Sequence, residues 1–187
     1  MHCIKMIVLG DAHIPDRATD IPSRIAELIE SEKPFDVVVY TGDLTGREVL
    51  EYVKTLGKEV HVVQGNMDWL PLPEYDVFEL FGIRFGVIHG DQVRPRGDIP
   101  KLTRIAKELD VRVLISGHTH SPFISVHSGI IHLNPGSVTG VPSGTGGSLI
   151  PSLMIVYVCD DRSLDIRLYE LIGERLTMKR ERINVVV

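Results

Sequence analysis

Short apolar runs recur along the chain and alternate with patterns of helical period. Buried strands are predicted where these runs lie, at Ile4–Leu9, Val37–Tyr40, Val60–Val63, Ile83–Ile88 and Val111–Ile115. Between the first three runs and before the fifth, apolar residues recur on one helical face, as at Ile21, Ile25 and Ile29. This alternation of strand and helix predicts an α/β fold with a largely parallel sheet.

Two helix starts are marked by local sequence. Thr45 and Glu48 have the spacing of a capping box, in which each side chain bonds the other residue's backbone N–H. Asp98 followed by Pro100 is typical of a helix N-terminus, since Asp caps free N–H groups and Pro fits the first turn.

The chain after Ser152 has a different pattern, with extended segments predicted at 153–159, 164–171 and 176–187 and turn residues between them. These segments favour a second, antiparallel sheet. Short runs at Val77–Leu80 and Phe123–Val126 predict added hairpins. The simplest assembly is two sheets packed face to face with helices outside, in one domain spanning residues 1–187.

Composition excludes several classes of protein. Hydrophobic residues make up 43% and charged residues 24% of the 187 residues, which is ordinary for a globular chain. The net charge of −5 disfavours duplex nucleic acid as a partner. The most apolar stretch, Leu149–Cys159, contains Pro151 and is shorter than the roughly 20 residues that span a bilayer, so no membrane contact is expected.

The two cysteines, Cys3 and Cys159, form neither a disulfide framework nor a metal cluster by spacing, so we expect them to be unlinked and the compartment to be reducing. The first residues lead directly into a strand-like run without the features of a secretory signal. A cytoplasmic protein is therefore predicted. The sequence leaves open whether it is a monomer or a homo-oligomer.

Side chains that can bind metals follow every predicted strand. They are Asp11 and His13, then Asp43, then Asn66, then His89, then His118 and His120. Ligands of parallel α/β sheets bind at the carboxyl ends of strands, so we expect these side chains to meet. Oxygen and imidazole donors without thiolate suit borderline divalent ions such as Mn, Fe, Co, Ni or Zn.

The order Asp-x-His, Gly-Asp, Gly-Asn-x-Asp, His and Gly-His-x-His after successive strands resembles the calcineurin-like metallophosphoesterase superfamily. The resemblance covers residues 6–137, and Asn134 to Ser137 is similar to a further loop of its small bacterial and archaeal phosphodiesterase branch. It implies a four-layer αββα sandwich of two mixed sheets and a centre of two divalent ions, with Mn²⁺ favoured.

In the family pattern the first metal takes Asp11, His13, Asp43 and His120, and the second takes Asp43, Asn66, His89 and His118. Asp43 then bridges the two ions, and a bridging hydroxide attacks a small phosphodiester substrate. The catalytic group implied is Asp43, Asn66, Asp68 and His89.

One position departs from the pattern. The family usually places a histidine at the x position of the Gly-Asn-x-Asp motif, where it assists the leaving group and the following Asp orients it. Here the position is Met67, followed by Asp68. A thioether donates no proton, so metals or water must do more of this work.

A second departure concerns the binding of phosphate. Arg17 is the best-placed cation for phosphate, with Arg94 and Arg96 next, because residues 139–159 contain no Lys or Arg. Met67 and Asn134 complete the substrate-binding candidates. His2, His61, His127 and His132 lie outside every motif and are interpreted as structural or surface residues.

Two other functions stay open. The same site suits a phosphomonoesterase or nucleotidase. The retromer scaffold subunit shares the family fold and binds protein partners, so a scaffold is the alternative outside enzymes. The full set of seven ligands favours the enzyme, since a pure scaffold would not need them.

Overall fold

The computed structural model describes residues 1–187 and contains two mixed β-sheets. The first sheet has the order β11-β10-β9-β1-β2-β3 and the second has the order β4-β5-β6-β8-β7. The strands are β1 Cys3–Leu9, β2 Phe35–Tyr40, β3 Gly57–Val62, β4 Tyr75–Leu80, β5 Ile83–Ile88, β6 Val113–Ile115, β7 Phe123–His127, β8 Ile130–Asn134, β9 Ser152–Cys159, β10 Ser163–Ile172 and β11 Arg175–Asn184. The helices are α1 Ser23–Glu32, α2 Arg47–Lys54 and α3 Ile99–Glu108.

Alternation along the strands builds four layers. In β1, Met6 and Val8 enter the core between the two sheets, whereas Ile7 and Leu9 face a second core under α1 and α2. The third core packs α3 on the outer face of the second sheet through Leu102 and neighbouring apolar residues. The predicted αββα sandwich of two mixed sheets is thus confirmed.

The tail segments are real strands, but their predicted assignment to a separate sheet is wrong. Strand β9 pairs antiparallel with β1, and β10 and β11 extend the same sheet. The second sheet is built from β4 to β8, including β8, which the sequence analysis missed. Apolar alternation defines which face of a strand is buried, but it does not specify the partner strand.

The expectation of unlinked cysteines is also wrong in this structure. Cys3 and Cys159 are directly opposite each other in the β1–β9 register and form a disulfide across a sequence separation of 156 residues. Their separation in sequence hid the pairing, because it follows from placing β9 beside β1. The reducing, cytoplasmic compartment remains a prediction.

The two predicted helix starts have different outcomes. The Asp98 side chain accepts a hydrogen bond from the backbone N–H of Lys101, as expected of a cap. The capping box at Thr45 is absent, because α2 is capped by Gly46 without a side-chain bond, and the Thr45 hydroxyl donates to the Ile14 carbonyl. None of the three helices is long and apolar enough to cross a membrane.

Candidate metal centre

The loops that follow β1, β2, β3, β5 and β6 converge at one rim of the sandwich. Strands β1, β2 and β3 are parallel neighbours in the first sheet, and β5 and β6 are parallel neighbours in the second. Because the two sheets stack, the carboxyl ends of both parallel sets reach the same edge. The structure therefore brings the seven side chains singled out in the sequence to one place.

Two overlapping groups of ligand atoms form there. Asp11, His13, Asp43 and His120 offer atoms within 4.8 Å of one another, and so do Asp43, His89 and His118. The Asn66 side-chain oxygen completes the second group, 3.0 Å from Nε2 of His89. Asp43 belongs to both groups, with Oδ2 3.3 Å from Nε2 of His13 and 3.1 Å from Nε2 of His89.

The backbone of this rim is strained. Five of the candidate ligands have left-handed backbone conformations with φ between 49° and 73°, namely Asp11, His13, Asp43, His118 and His120. Such conformations are uncommon for residues other than glycine and cluster at functional sites, where the surrounding structure compensates their cost. The backbone geometry of these loops is thus typical of a functional site rather than of simple turns.

Two glycines permit the close approach of the loops. Gly42 has φ of 101°, which a residue with a side chain rarely adopts. A Cβ at Gly65 would lie 2.1 Å from Oδ1 of Asp43. A side chain at position 65 would therefore clash with Asp43, so glycine is needed here for space and not for its backbone conformation. The sequence pattern does not reveal this difference from Gly42.

Backbone carbonyls orient two of the rings. Nδ1 of His89 lies 2.8 Å from the Thr41 carbonyl, and Nδ1 of His120 lies 2.7 Å from the Val141 carbonyl. These bonds place the proton on Nδ1 and leave Nε2 of each ring aimed at the centre, as metal-binding histidines require. No side-chain pattern marks Thr41 or Val141, so sequence reasoning missed them.

Burial and charge perturb the pKa values of the group. Burial raises the pKa of Asp11 to about 7. Burial alone would lower the pKa of His89. The hydrogen bond to Asp43 and the negative charges of Asp11 and Asp43 outweigh burial and raise this pKa to about 9. Burial, followed by the charge of His89, lowers that of His118 to about 4. Perturbation of this size is typical of functional sites.

The donor set fits divalent cations. Oδ1 of Asp11 is buried without a hydrogen-bond partner, and Nε2 of His13 and of His120 face each other at 3.3 Å. Burying such groups without a partner is costly, and a cation held between them would compensate the cost. The chemistry is that of carboxylate and imidazole ligands, which suits borderline divalent metals.

Asp68 holds the backbone and does not orient a neighbouring side chain. Its carboxylate accepts hydrogen bonds from the N–H groups of Asp43, Thr45 and Gly65 at 2.8 to 2.9 Å. These three bonds tie the loop after β2 to the loop after β3. Asp68 therefore positions the candidate ligand Asp43.

The remaining predicted residues divide into two sets. Met67 is 45% exposed and lines a small cavity above the centre together with Arg17 and Arg96. Nη1 of Arg17 donates to the Pro142 carbonyl at 2.9 Å. Asn134 is fully buried, and its amide bonds Gly117, Thr119 and Gly136, so it holds the loop after β6 and has no surface open to a ligand.

The fold and this donor set define a metal-dependent phosphoesterase. Residues 4–161 match the model of the calcineurin-like phosphoesterase superfamily domain. The chain belongs to that superfamily.

Similar proteins agree with this assignment. The chain is 46% identical to a probable metallophosphoesterase of Methanocaldococcus jannaschii over 71% of this chain and 67% of that one. It is 41% identical to a probable metallophosphoesterase of Methanothermobacter thermautotrophicus over 84% and 87% of the two chains. The crystal structure of wild-type Vps29 from Entamoeba histolytica complexed with Zn²⁺ is similar in fold, with a TM-score of 0.88, 34% identity and coverage of 96% and 99%.

Proposed function

We propose that this protein hydrolyses small phosphodiesters at a centre of two divalent metal ions. The observation that carries the proposal is the pair of overlapping ligand groups that share the Asp43 carboxylate. One carboxylate common to two sets of ligands is the arrangement used by enzymes that clamp the attacking and leaving oxygens of a phosphoryl group. Manganese is the favoured metal, with nickel, iron, cobalt or zinc as alternatives.

The bound ions would supply Lewis-acid activation of water and neutralise charge on the phosphoryl group. The chain's own residues perform the other tasks. Asp11, His13 and His120 would hold one ion, Asn66, His89 and His118 the other, and Asp43 both. The lowered pKa values of His118 and His120, both about 4, keep these rings neutral and able to bind cations near neutral pH.

The diester preference follows from the groups around the centre. Met67 occupies the position at which a histidine would donate a proton to the leaving oxygen, and it lines the cavity beside Arg17 and Arg96. A monoester dianion would gain more from an imidazolium there than a diester monoanion does. Diesters whose leaving oxygen departs unaided therefore suit this cavity best.

The test is a comparison of substrates at saturating Mn²⁺ or Ni²⁺, with bound metal quantified in the same preparations. We expect kcat/KM for bis(p-nitrophenyl) phosphate to exceed that for p-nitrophenyl phosphate. Cyclic nucleotides serve as further diester substrates. Faster turnover of the monoester would contradict the diester preference, and a protein that binds less than one metal equivalent would contradict the metal centre.

The similarity to Vps29 favours a second candidate, a scaffold that binds a protein partner. Metal binding without hydrolysis of any ester in the comparison would support it. The overlapping ligand groups and the strained loops around them argue for the enzyme, because a scaffold gains nothing from a strained set of ligands.

A further inference from the structure

A cleft of about 400 Å³ opens directly beside the candidate metal centre. One wall is formed by Asn66 and His118, two of the candidate ligands. The lining also includes Asp91, Arg94 and Arg96 from the segment between β5 and α3, together with Thr145. A substrate held at the centre would therefore extend into this cleft with one of its two ester groups.

The two arginines of the cleft form no ion pair. Neither guanidinium lies within 4.0 Å of a carboxylate, whereas Arg180 and Arg182 on β11 pair with Asp165 and Asp161. A guanidinium has the fork geometry that binds phosphate through two hydrogen bonds. Positive charge left unpaired beside a phosphoesterase centre is thus available to a phosphate.

Local contacts position the Arg96 guanidinium and the Arg94 backbone at the cleft. Nη1 of Arg96 lies 3.4 Å from the His118 carbonyl, and a Cβ added at Gly144 would lie 2.7 Å from Nη2. The glycine therefore leaves room for the guanidinium against the loop after β8. The Arg94 carbonyl accepts a hydrogen bond from the Lys101 side chain, which ties this segment to α3.

We propose that Arg94 and Arg96 form a subsite for a second phosphate group, carried by the ester group that extends into the cleft. The substrate class is then a phosphodiester in which one alcohol is a phosphorylated sugar or similar polyol. The Asp91 carboxylate at the same cleft accepts hydrogen bonds from hydroxyl groups of such an alcohol. The volume lies in the range of sites that hold small ligands, about 300 to 1,000 Å³. This proposal rests on the proposed function.

Met67 distinguishes the two ends of the substrate. It lines the small cavity above the centre but not the cleft, whereas Arg94 lines only the cleft and Arg96 lines both. The leaving group is therefore expected on the Met67 side, and the phosphorylated alcohol is the group retained on the reacting phosphate.

Binding to the metal-free protein tests the subsite without hydrolysis. Thymidine 3′,5′-bisphosphate and thymidine 5′-monophosphate are titrated against the parent, Arg96→Gln, Arg94→Gln and Arg104→Gln. Arg104 is an exposed arginine of α3 outside the cleft, and its variant is the matched control. We expect the parent and the control to prefer the bisphosphate by about tenfold, the size of one charge-assisted hydrogen bond. Either cleft variant should lose most of that preference.

Kinetics of the metal-loaded protein provide the second measurement. The substrates are thymidine 5′-(p-nitrophenyl phosphate) and the same compound bearing a 3′-phosphate. The parent should show kcat/KM about tenfold higher for the 3′-phosphorylated diester, and Arg96→Gln should reduce this ratio.

The outcomes separate the two proposals. Equal kcat/KM for the two diesters, or a bisphosphate preference that survives in both cleft variants, overturns the subsite and leaves the phosphodiesterase intact. If neither diester is hydrolysed while the bisphosphate preference depends on Arg96, the subsite stands and the proposed phosphodiesterase fails.

Discussion

The candidate centre has a closed side and an open side. On the closed side, Asp11 is 0%, His13 1% and His120 2% exposed, and each belongs to a loop with a strained backbone. On the open side, Asn66 is exposed and Met67 is 45% exposed. The closed side is thus shaped to hold a cation, whereas the open side is where a substrate can enter.

The difference predicts two kinds of mutational response. Closed-side residues are packed within loops that also contribute to the core, so their loss affects metal binding and the geometry of the whole rim. Open-side residues make few contacts, so their replacement should change substrate choice while the fold persists. Asp43 belongs to both ligand groups and is the residue at which the two sides meet.

The largest effect is expected for Asp43→Asn. An amide keeps the size of the side chain but removes the charge shared by both ligand groups. We therefore expect diesterase turnover to fall by about 10³-fold or more, which corresponds to a rise in the activation free energy of roughly 4 kcal/mol. Added Mn²⁺ should raise the Tm of the parent much more than that of the variant, because a metal ion stabilises the folded protein only when it binds, and the variant should bind it weakly. Turnover and Tm are measured on the same preparations.

Arg17→Ala is the matched open-side variant. The Arg17 side chain reaches the centre's cavity and forms one hydrogen bond, to the Pro142 carbonyl, so its loss should weaken turnover modestly and leave the metal-induced rise in Tm unchanged. Circular dichroism confirms that both variants are folded. Equal losses in the two variants would show that Asp43 does not join the two groups.

The sequence predicted this centre better than it predicted the sheets around it. Each candidate ligand lies in the loop that follows a strand, so local sequence is enough to bring Asp11, Asp43 and His118 to one rim. The place of β9 depends on its pairing with β1 across more than 140 residues, which local pattern does not encode. The disulfide between Cys3 and Cys159 was missed for the same reason.

The supporting contacts of the site were equally hidden from the sequence. Asp68 was expected to orient the side chain at position 67, yet its carboxylate is taken up by backbone N–H groups, among them that of Asp43. A backbone amide carries no residue identity, so no motif could indicate this bond. The carbonyls of Thr41 and Val141 that orient the histidine rings are a second example.

A smaller effect is expected on the open side from Met67→His. A histidine there would introduce a proton donor beside the leaving oxygen, and general acid catalysis contributes about 10²-fold at its low end. Because Asp68 is already bonded to three backbone groups, the new ring would lack its orienting partner, and we expect roughly tenfold faster turnover of diesters with poor leaving groups.

The measurement is a leaving-group series on the parent, Met67→His and Met67→Gln at equal metal occupancy. Glutamine is similar in size but is not a general acid. The Met67→Gln variant therefore distinguishes the effect of a proton donor from the effect of a changed side-chain shape. If the histidine variant depends on leaving-group pKa as the parent does, Met67 does not lie beside the leaving oxygen.

The smallest effect concerns His132, a buried histidine outside the centre. It lies on β8, and its Nε2 is 2.7 Å from the Thr103 hydroxyl of α3. Burial, and then the charge of His127, lowers the pKa of His132 to about 4, so the folded protein keeps this ring neutral. The unfolded chain protonates it near pH 6.5. Between these two values the unfolded state binds more protons, so the free energy of unfolding falls as the pH is lowered from about 6.5 to about 4.

Because neighbouring dipoles relax around a buried charge, we expect about 1 kcal/mol of this loss to come from His132. Urea unfolding of metal-free parent and His132→Gln across this pH range measures it, and the variant should show the shallower dependence. Identical pH dependence in the two proteins would contradict the lowered pKa of His132 in the folded state.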